Sequence, residues 1–127
     1  MIPVMHWGWE YEHIASARQR ELARVMIDAG ADAVVGGHPH VTQDTGQHRG
    51  RPIVYSLGNF VFDGFTDADT TTGWLLRLEV DRQGARRWRT FVGRIDRDGI
   101  PHPDAKASGD CWERGQDSAV PCASVGR

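Results

Sequence analysis

Histidines supply the clearest chemistry in this sequence. His38 and His40 flank Pro39 in Gly36-Gly37-His38-Pro39-His40, directly after the apolar run at 31–35. In an extended segment the side chains at i and i+2 share a face, so both imidazoles can enter one cleft. Proline stiffens the backbone between them, and the glycines let it pass close to neighbouring groups. Neutral imidazole is the commonest side-chain ligand for zinc and similar ions. Spacing alone leaves a second reading open, in which two loop histidines bond to backbone. His6 adds a third imidazole at the end of the apolar residues 2–5. If the two runs are neighbouring strands, His6, His38 and His40 converge as metal ligands. Three protein ligands with an open position make a catalytic metal site, where bound water is acidified. Glu10, four residues after His6, is placed to orient an imidazole or to act as a general acid. The competing reading is a loop carboxylate in water. Glu10 and His38 are the candidate catalytic residues.

Around these, Trp7, Trp9 and Tyr11 alternate, as a ligand wall or as packing. Asn59 is either a ligand or a turn residue with positive φ. Asp63, Asp67 and Asp69 share a loop, but their spacing does not fit a calcium loop with its closing glutamate. His13, His48 and His102 read as ordinary surface histidines. The chain has no Gly-x-Ser-x-Gly elbow, no phosphate-cradling glycine loop ending in Lys-Ser or Lys-Thr, and no Gly-x-Gly-x-x-Gly. Cys111 and Cys122 fit no Cys-x-x-Cys knuckle. A disulfide in an exported protein is favoured over two free thiols.

The elements that must position these residues belong to one domain, the most that 127 residues usually hold. Charged residues are 25%, hydrophobic residues 39% and the net charge −2, an ordinary globular balance with no nucleic-acid footprint. Arg86-Arg87-Trp88-Arg89 reads as the solvated face of a strand. No apolar run approaches the roughly 20 residues of a membrane span, and no basic region with an apolar signal core opens the chain. It opens directly on a chemical motif, which reads as a domain cut from a longer one. Residues 16–29 have helical periodicity, with Gln19, Leu22, Met26 and Ala29 along one stripe, Ser16 as N-cap and Gly30 as the terminating glycine. Strand, helix, strand over residues 2–35 predicts a βαβ-type unit with functional loops at the strands' carboxyl ends. A polar turn is expected at 44–51 and two short strands over 52–63, joined at Gly58-Asn59. A hairpin is expected over 73–96, turning at Arg82-Gln83-Gly84. Residues 1–97 form the expected domain. Residues 98–127, rich in Gly, Pro and Ser, form a tail expected to pack in part or to be disordered.

In this order, the segments His6-Trp7-Gly8-Trp9-Glu10-Tyr11, Ile27-Asp28-Ala29-Gly30-Ala31-Asp32, Gly37-His38-Pro39-His40-Val41 and Tyr55-Ser56-Leu57-Gly58-Asn59-Phe60-Val61-Phe62-Asp63 resemble the C-terminal half of the CapA family. These are poly-γ-glutamate capsule-synthesis proteins within the calcineurin-like metallophosphoesterases, and the resemblance covers roughly residues 4–80. It implies an α/β fold: the C-terminal half of a four-layer α/β/β/α sandwich, with a terminal β-hairpin and an irregular tail. It also implies two divalent metal ions (Mn, Fe or Zn) in the complete domain, with His6 and His38 serving one and His40 the other. Such pairs activate a bridging water for attack on phosphorus. The implied partners are an anionic polymer or phosphoester substrate and a capsule-synthase membrane complex, and the implied location is the cell surface or outside it. The superfamily's Asp-x-His, Gly-Asp and Gly-Asn-His ligand motifs lie upstream of the His6 segment; this chain has no Asp-x-His or Gly-Asn-His, and its single Gly-Asp, Gly109-Asp110, lies far downstream. The expected site is therefore incomplete and the expected catalysis weak or absent. A noncatalytic module binding an anionic polymer or a synthase partner is the alternative. A small three-histidine zinc protein is the third.

Overall fold

The computed structural model describes residues 1–122. Strand β1 (Val4–His6) leads through helix α1 (Ala17–Asp28) to β2 (Val34–Gly37). The two strands pair in parallel, with His6 opposite Gly37, so the expected βαβ unit is present. Ser16 opens the helix with a capping box: its hydroxyl accepts from the Gln19 N–H while the Gln19 side chain accepts from the Ser16 N–H. Gly30, at φ 107°, follows the last turn in the left-handed region. The buried row is Gln19, Ala23 and Ile27, with Leu22 and Met26 beside it and Ala29 exposed. That corrects the expected stripe by a fraction of a turn. Ala23 has no bulk to hold the helix away, so it packs directly over the core of Trp7, Val34, Ile53 and Tyr55.

β4 (Arg51–Val54) adds to β2 in parallel, and β3 (Thr45–His48) closes the first sheet antiparallel to β4, in the order β1-β2-β4-β3. The segment expected as a polar turn is thus mostly strand. Its residues are half-buried and polar, so no hydrophobic alternation marks it, and the reversal itself is confined to Arg49 and Gly50 at positive φ. The expected second strand after Gly58 is absent: Phe60, Val61 and Phe62 are exposed, and only bridges at Thr42–Leu57 and Gly58–Gly73 continue the pairing.

The second sheet is built on β5 (Thr72–Asp81) and β6 (Gly84–Ile95), the expected hairpin. It continues through β7 (Pro101–Pro103), β8 (Asp110–Glu113) and β9 (Val120–Pro121), with β7 and β8 both pairing with β6. Arg86 and Arg87 face solvent, as a solvated strand face requires. Trp74, Leu76, Leu78, Ala85, Trp88 and Trp112 pack against Ala33, Val54 and Leu57 of the first half, which joins the two sheets through one apolar layer.

Over residues 98–122 the expected tail carries β7, β8 and β9, with Gly99, Gly109 and Trp112 as its buried residues. Sparse apolar residues suffice there because Trp112 is 3% exposed and its indole donates to Gln116 O. Arg114 donates to Ala85 O and Gly84 O, and Cys111 and Cys122 form a disulfide across β8 and β9. The remainder of the expected tail, 123–127, lies outside the described residues. Among the described residues no helix is long and apolar enough to cross a membrane. Among the described residues the arrangement is mixed α/β, with two sheets and one short helix.

Candidate functional site

Parallel pairing puts the carboxyl ends of β1 and β2 side by side, and this brings His6 against His38, their ring centroids 4.3 Å apart. The His38 and His40 rings follow at 5.9 Å. The three expected ligands therefore gather. They do so through a turn rather than an extended segment: His38 has φ 101° and His40 φ 62°, left-handed values uncommon for residues with a Cβ. Buried Pro39 lies between them, and its carbonyl accepts from the Tyr11 N–H at 2.8 Å, while Gly37 O accepts from the Trp7 N–H at 3.1 Å. The loop after β1 is thus sewn to the histidine turn.

Gly36 makes this approach possible. A Cβ there would collide with the Trp7 indole nitrogen and the Tyr55 carbonyl oxygen, which are joined by a 2.8 Å hydrogen bond across it. Trp7 is core. Trp9 is 74% exposed and contributes no wall in this structure, whereas Tyr11 stands 6.4 Å from both the His40 and Phe65 rings. Phe62 and Phe65 lie 5.3 and 5.2 Å from His40, so the rim of the site is aromatic. Neither phenylalanine stands out in sequence, where both read as strand or loop residues.

Beneath the loop, the buried Gln19 amide donates to Gln43 Oε1 at 2.8 Å, and the Gln43 amide donates to Glu12 O at 2.8 Å. A helix residue therefore fixes the segment that carries Glu10. Glu10 Oε1 lies 3.9 Å from His40 Nε2, a charge neighbour beyond hydrogen-bond length.

Asn59 is not the residue at positive φ, a role that Gly58 takes at 70°, and its amide is engaged within the protein. It is 6% exposed, and its Oδ1 is 2.9 Å from His40 Nδ1, while its amide donates to Thr70 O at 2.8 Å and His40 O at 3.2 Å. Thr70 is held in turn by Asp67, which accepts from the Thr70 hydroxyl and from its N–H at 3.0 Å. Those bonds from Thr70 hold the Asp67 carboxyl below the usual carboxylate range. Asp67 thus caps a turn.

Comparison with known proteins bears on residues 1–64, which match the family of the bacterial capsule synthesis protein PGA_cap. That stretch contains the first sheet, the helix and all four candidate residues. The chain belongs to this family. It is 48% identical over 84 residues to the PGA biosynthesis protein CapA of Bacillus subtilis, a match covering 65% of this chain and 22% of that protein. Over 58 residues it is 57% identical to the capsule biosynthesis protein CapA of Bacillus anthracis, covering 46% of this chain and 14% of that one. A probable polyglutamine synthesis accessory protein of Mycobacterium tuberculosis is 36% identical over 59 residues, 46% of this chain and 16% of its own length. The chain thus aligns with well under a quarter of the length of each of these relatives.

The remaining histidines of this capsule-family chain pair with carboxylates. His13 Nε2 is 3.2 Å from Asp69, His48 2.8 Å from Asp28 and His102 2.7 Å from Asp96. For a divalent cation, the His6, His38 and His40 cluster has the right donor chemistry, and His40 has its far nitrogen engaged as ligating imidazoles do. The arrangement of those donors falls short: among the described residues no group of three or more His, Cys, Asp or Glu is set to hold a metal ion.

Proposed function

We propose that this chain carries part of a divalent-metal site of metallophosphoesterase type in a capsule-synthesis protein, acting on a phosphoester during the making or export of poly-γ-glutamate. The reading rests on one observation: three imidazoles from two adjacent strand ends gather within 4.3 and 5.9 Å ring spacings. His6 and His38 would hold one ion and His40 another, and an imidazole-rich set suits Zn, Fe or Mn. A bound divalent ion supplies acidified water and polarisation of a phosphoryl oxygen. Glu10, 3.9 Å from His40 Nε2, would hold or deliver a proton on the reacting group beside that ion, and His38 would orient the reacting group next to His6. Tyr11, Phe62 and Phe65 give the open side of the cleft an aromatic rim.

The other ligands of a two-metal site would come from protein outside these 127 residues, completing a four-layer sandwich around the two sheets. An anionic polymer and a capsule-synthase complex at the membrane are the proposed partners. The Cys111–Cys122 disulfide supports the cell surface or exterior as location, because such bonds persist in oxidising compartments.

A second reading, a noncatalytic module for an anionic polymer or a synthase partner, is favoured by the lack, among the described residues, of a donor group arranged for a metal ion. Hydrolysis of a bis-aryl phosphodiester with Mn2+, by the full-length protein containing this chain, separates the two. The first reading expects Mn2+-dependent turnover that His38→Ala reduces at least ~100-fold, as loss of a major catalytic group does. Metal-independent or absent turnover, with unchanged polymer binding, supports the second.

A further inference from the structure

We infer that Asn59 is a positioning residue that fixes His40 as its Nδ1–H tautomer, so that the basic Nε2 lone pair is left free on the side of Glu10, whose Oε1 lies 3.9 Å away, and is preset to accept a divalent cation. The argument runs through the carboxamide. Its NH2 can only donate and its oxygen can only accept. The nitrogen lies 2.8 Å from Thr70 O and 3.2 Å from His40 O, and two carbonyl oxygens can be satisfied only by the NH2. Oδ1 is therefore the atom 2.9 Å from His40 Nδ1, and an oxygen that only accepts requires a hydrogen on that nitrogen. The opposite amide orientation would set oxygen against two carbonyls at a site 6% exposed, where water cannot compensate.

One side chain thereby grips both the His40 ring and the His40 carbonyl. It holds the main chain at φ 62° and the ring in one orientation. Thr70 and the Asp67-capped turn support it from behind. In water the imidazole proton of histidine prefers Nε2, so Asn59 reverses the intrinsic preference. Fixing the tautomer of a ligating histidine through its other nitrogen is how outer partners raise metal affinity.

The choice of cation as occupant rests on the metal reading above, whereas the tautomer does not, and the test separates them. Long-range proton–nitrogen NMR spectra of the metal-free 15N-labelled chain are recorded at about pH 9, above the ordinary histidine pKa of about 6.5. His40 is expected to show a pyrrole-type Nδ1 and a pyridine-type Nε2. Asn59→Ala moves the proton towards Nε2, the position histidine prefers in water. A wild-type His40 with Nε2–H as its main form overturns the inference, as does an Asn59→Ala chain that keeps Nδ1–H. If Asn59→Ala does not fold, the wild-type spectrum decides. Zn2+ titration of the same samples expects Asn59→Ala to bind about 10–100-fold more weakly. An Nδ1–H tautomer with no Zn2+ binding in wild type upholds the positioning role and removes the metal reading.

Discussion

A single hydrogen atom at Gly36 allows the histidine turn to lie against the core. The Trp7–Tyr55 hydrogen bond crosses the space that a side chain would need. Gly36→Ala is expected to destabilise the fold by about 1–3 kcal/mol, the usual cost of overpacking a filled site. Urea denaturation measures it, and an unchanged midpoint would show that the indole has room to move. At this scale the sequence was partly legible. His6, His38 and His40 stand out because imidazoles at strand ends are chemically conspicuous. Asn59 does not, because its role depends on His40, 19 residues away, and on Thr70, 11 residues away. A buried amide has the same letter as a turn residue. The positive φ expected there falls one position earlier, on Gly58, where a Cβ would press on Thr72 O.

Among the elements, those whose signals are local were the readable ones. The capping box, the glycine after the helix and the apolar runs on either side of it define β1, α1 and β2 before any contact is known. The β5–β6 hairpin declares itself through alternation. Strand β3 is polar and half-buried, and its existence depends on β4 beside it. Strands β7 to β9 depend on β6 in the same way, since few apolar residues lie along them. What fastens them is Trp112, Arg114 and the disulfide. The bond spans a sequence separation of 11, so Cys111→Ser with Cys122→Ser is expected to cost about 2–4 kcal/mol by freeing the unfolded chain. Denaturation with and without reductant reads this difference. The histidine resonances, on the other sheet, should keep their positions; movement there would show that β8 and β9 support the site directly.

For the molecule as a whole, the site and its family match reside in residues 1–64, while the second sheet supplies backing. That backing is physical: Trp74 N–H donates to Leu57 O at 2.8 Å, and Gly73 lies so close to Asn59 O that no side chain fits between them. The apolar layer of Trp88, Trp112, Ala33 and Val54 makes the two sheets one packed body. The histidine cluster thus sits on a rigid frame, open to the side where Glu10 and the aromatic rim stand. The central claim is that this frame presents imidazoles to a divalent metal. Isothermal titration of the purified chain with Zn2+, beside a His6→Ala, His38→Ala, His40→Ala variant, tests it most directly. Saturable binding by the wild type that the triple variant lacks is the predicted result. Equal binding by both chains, or none by either, would contradict it.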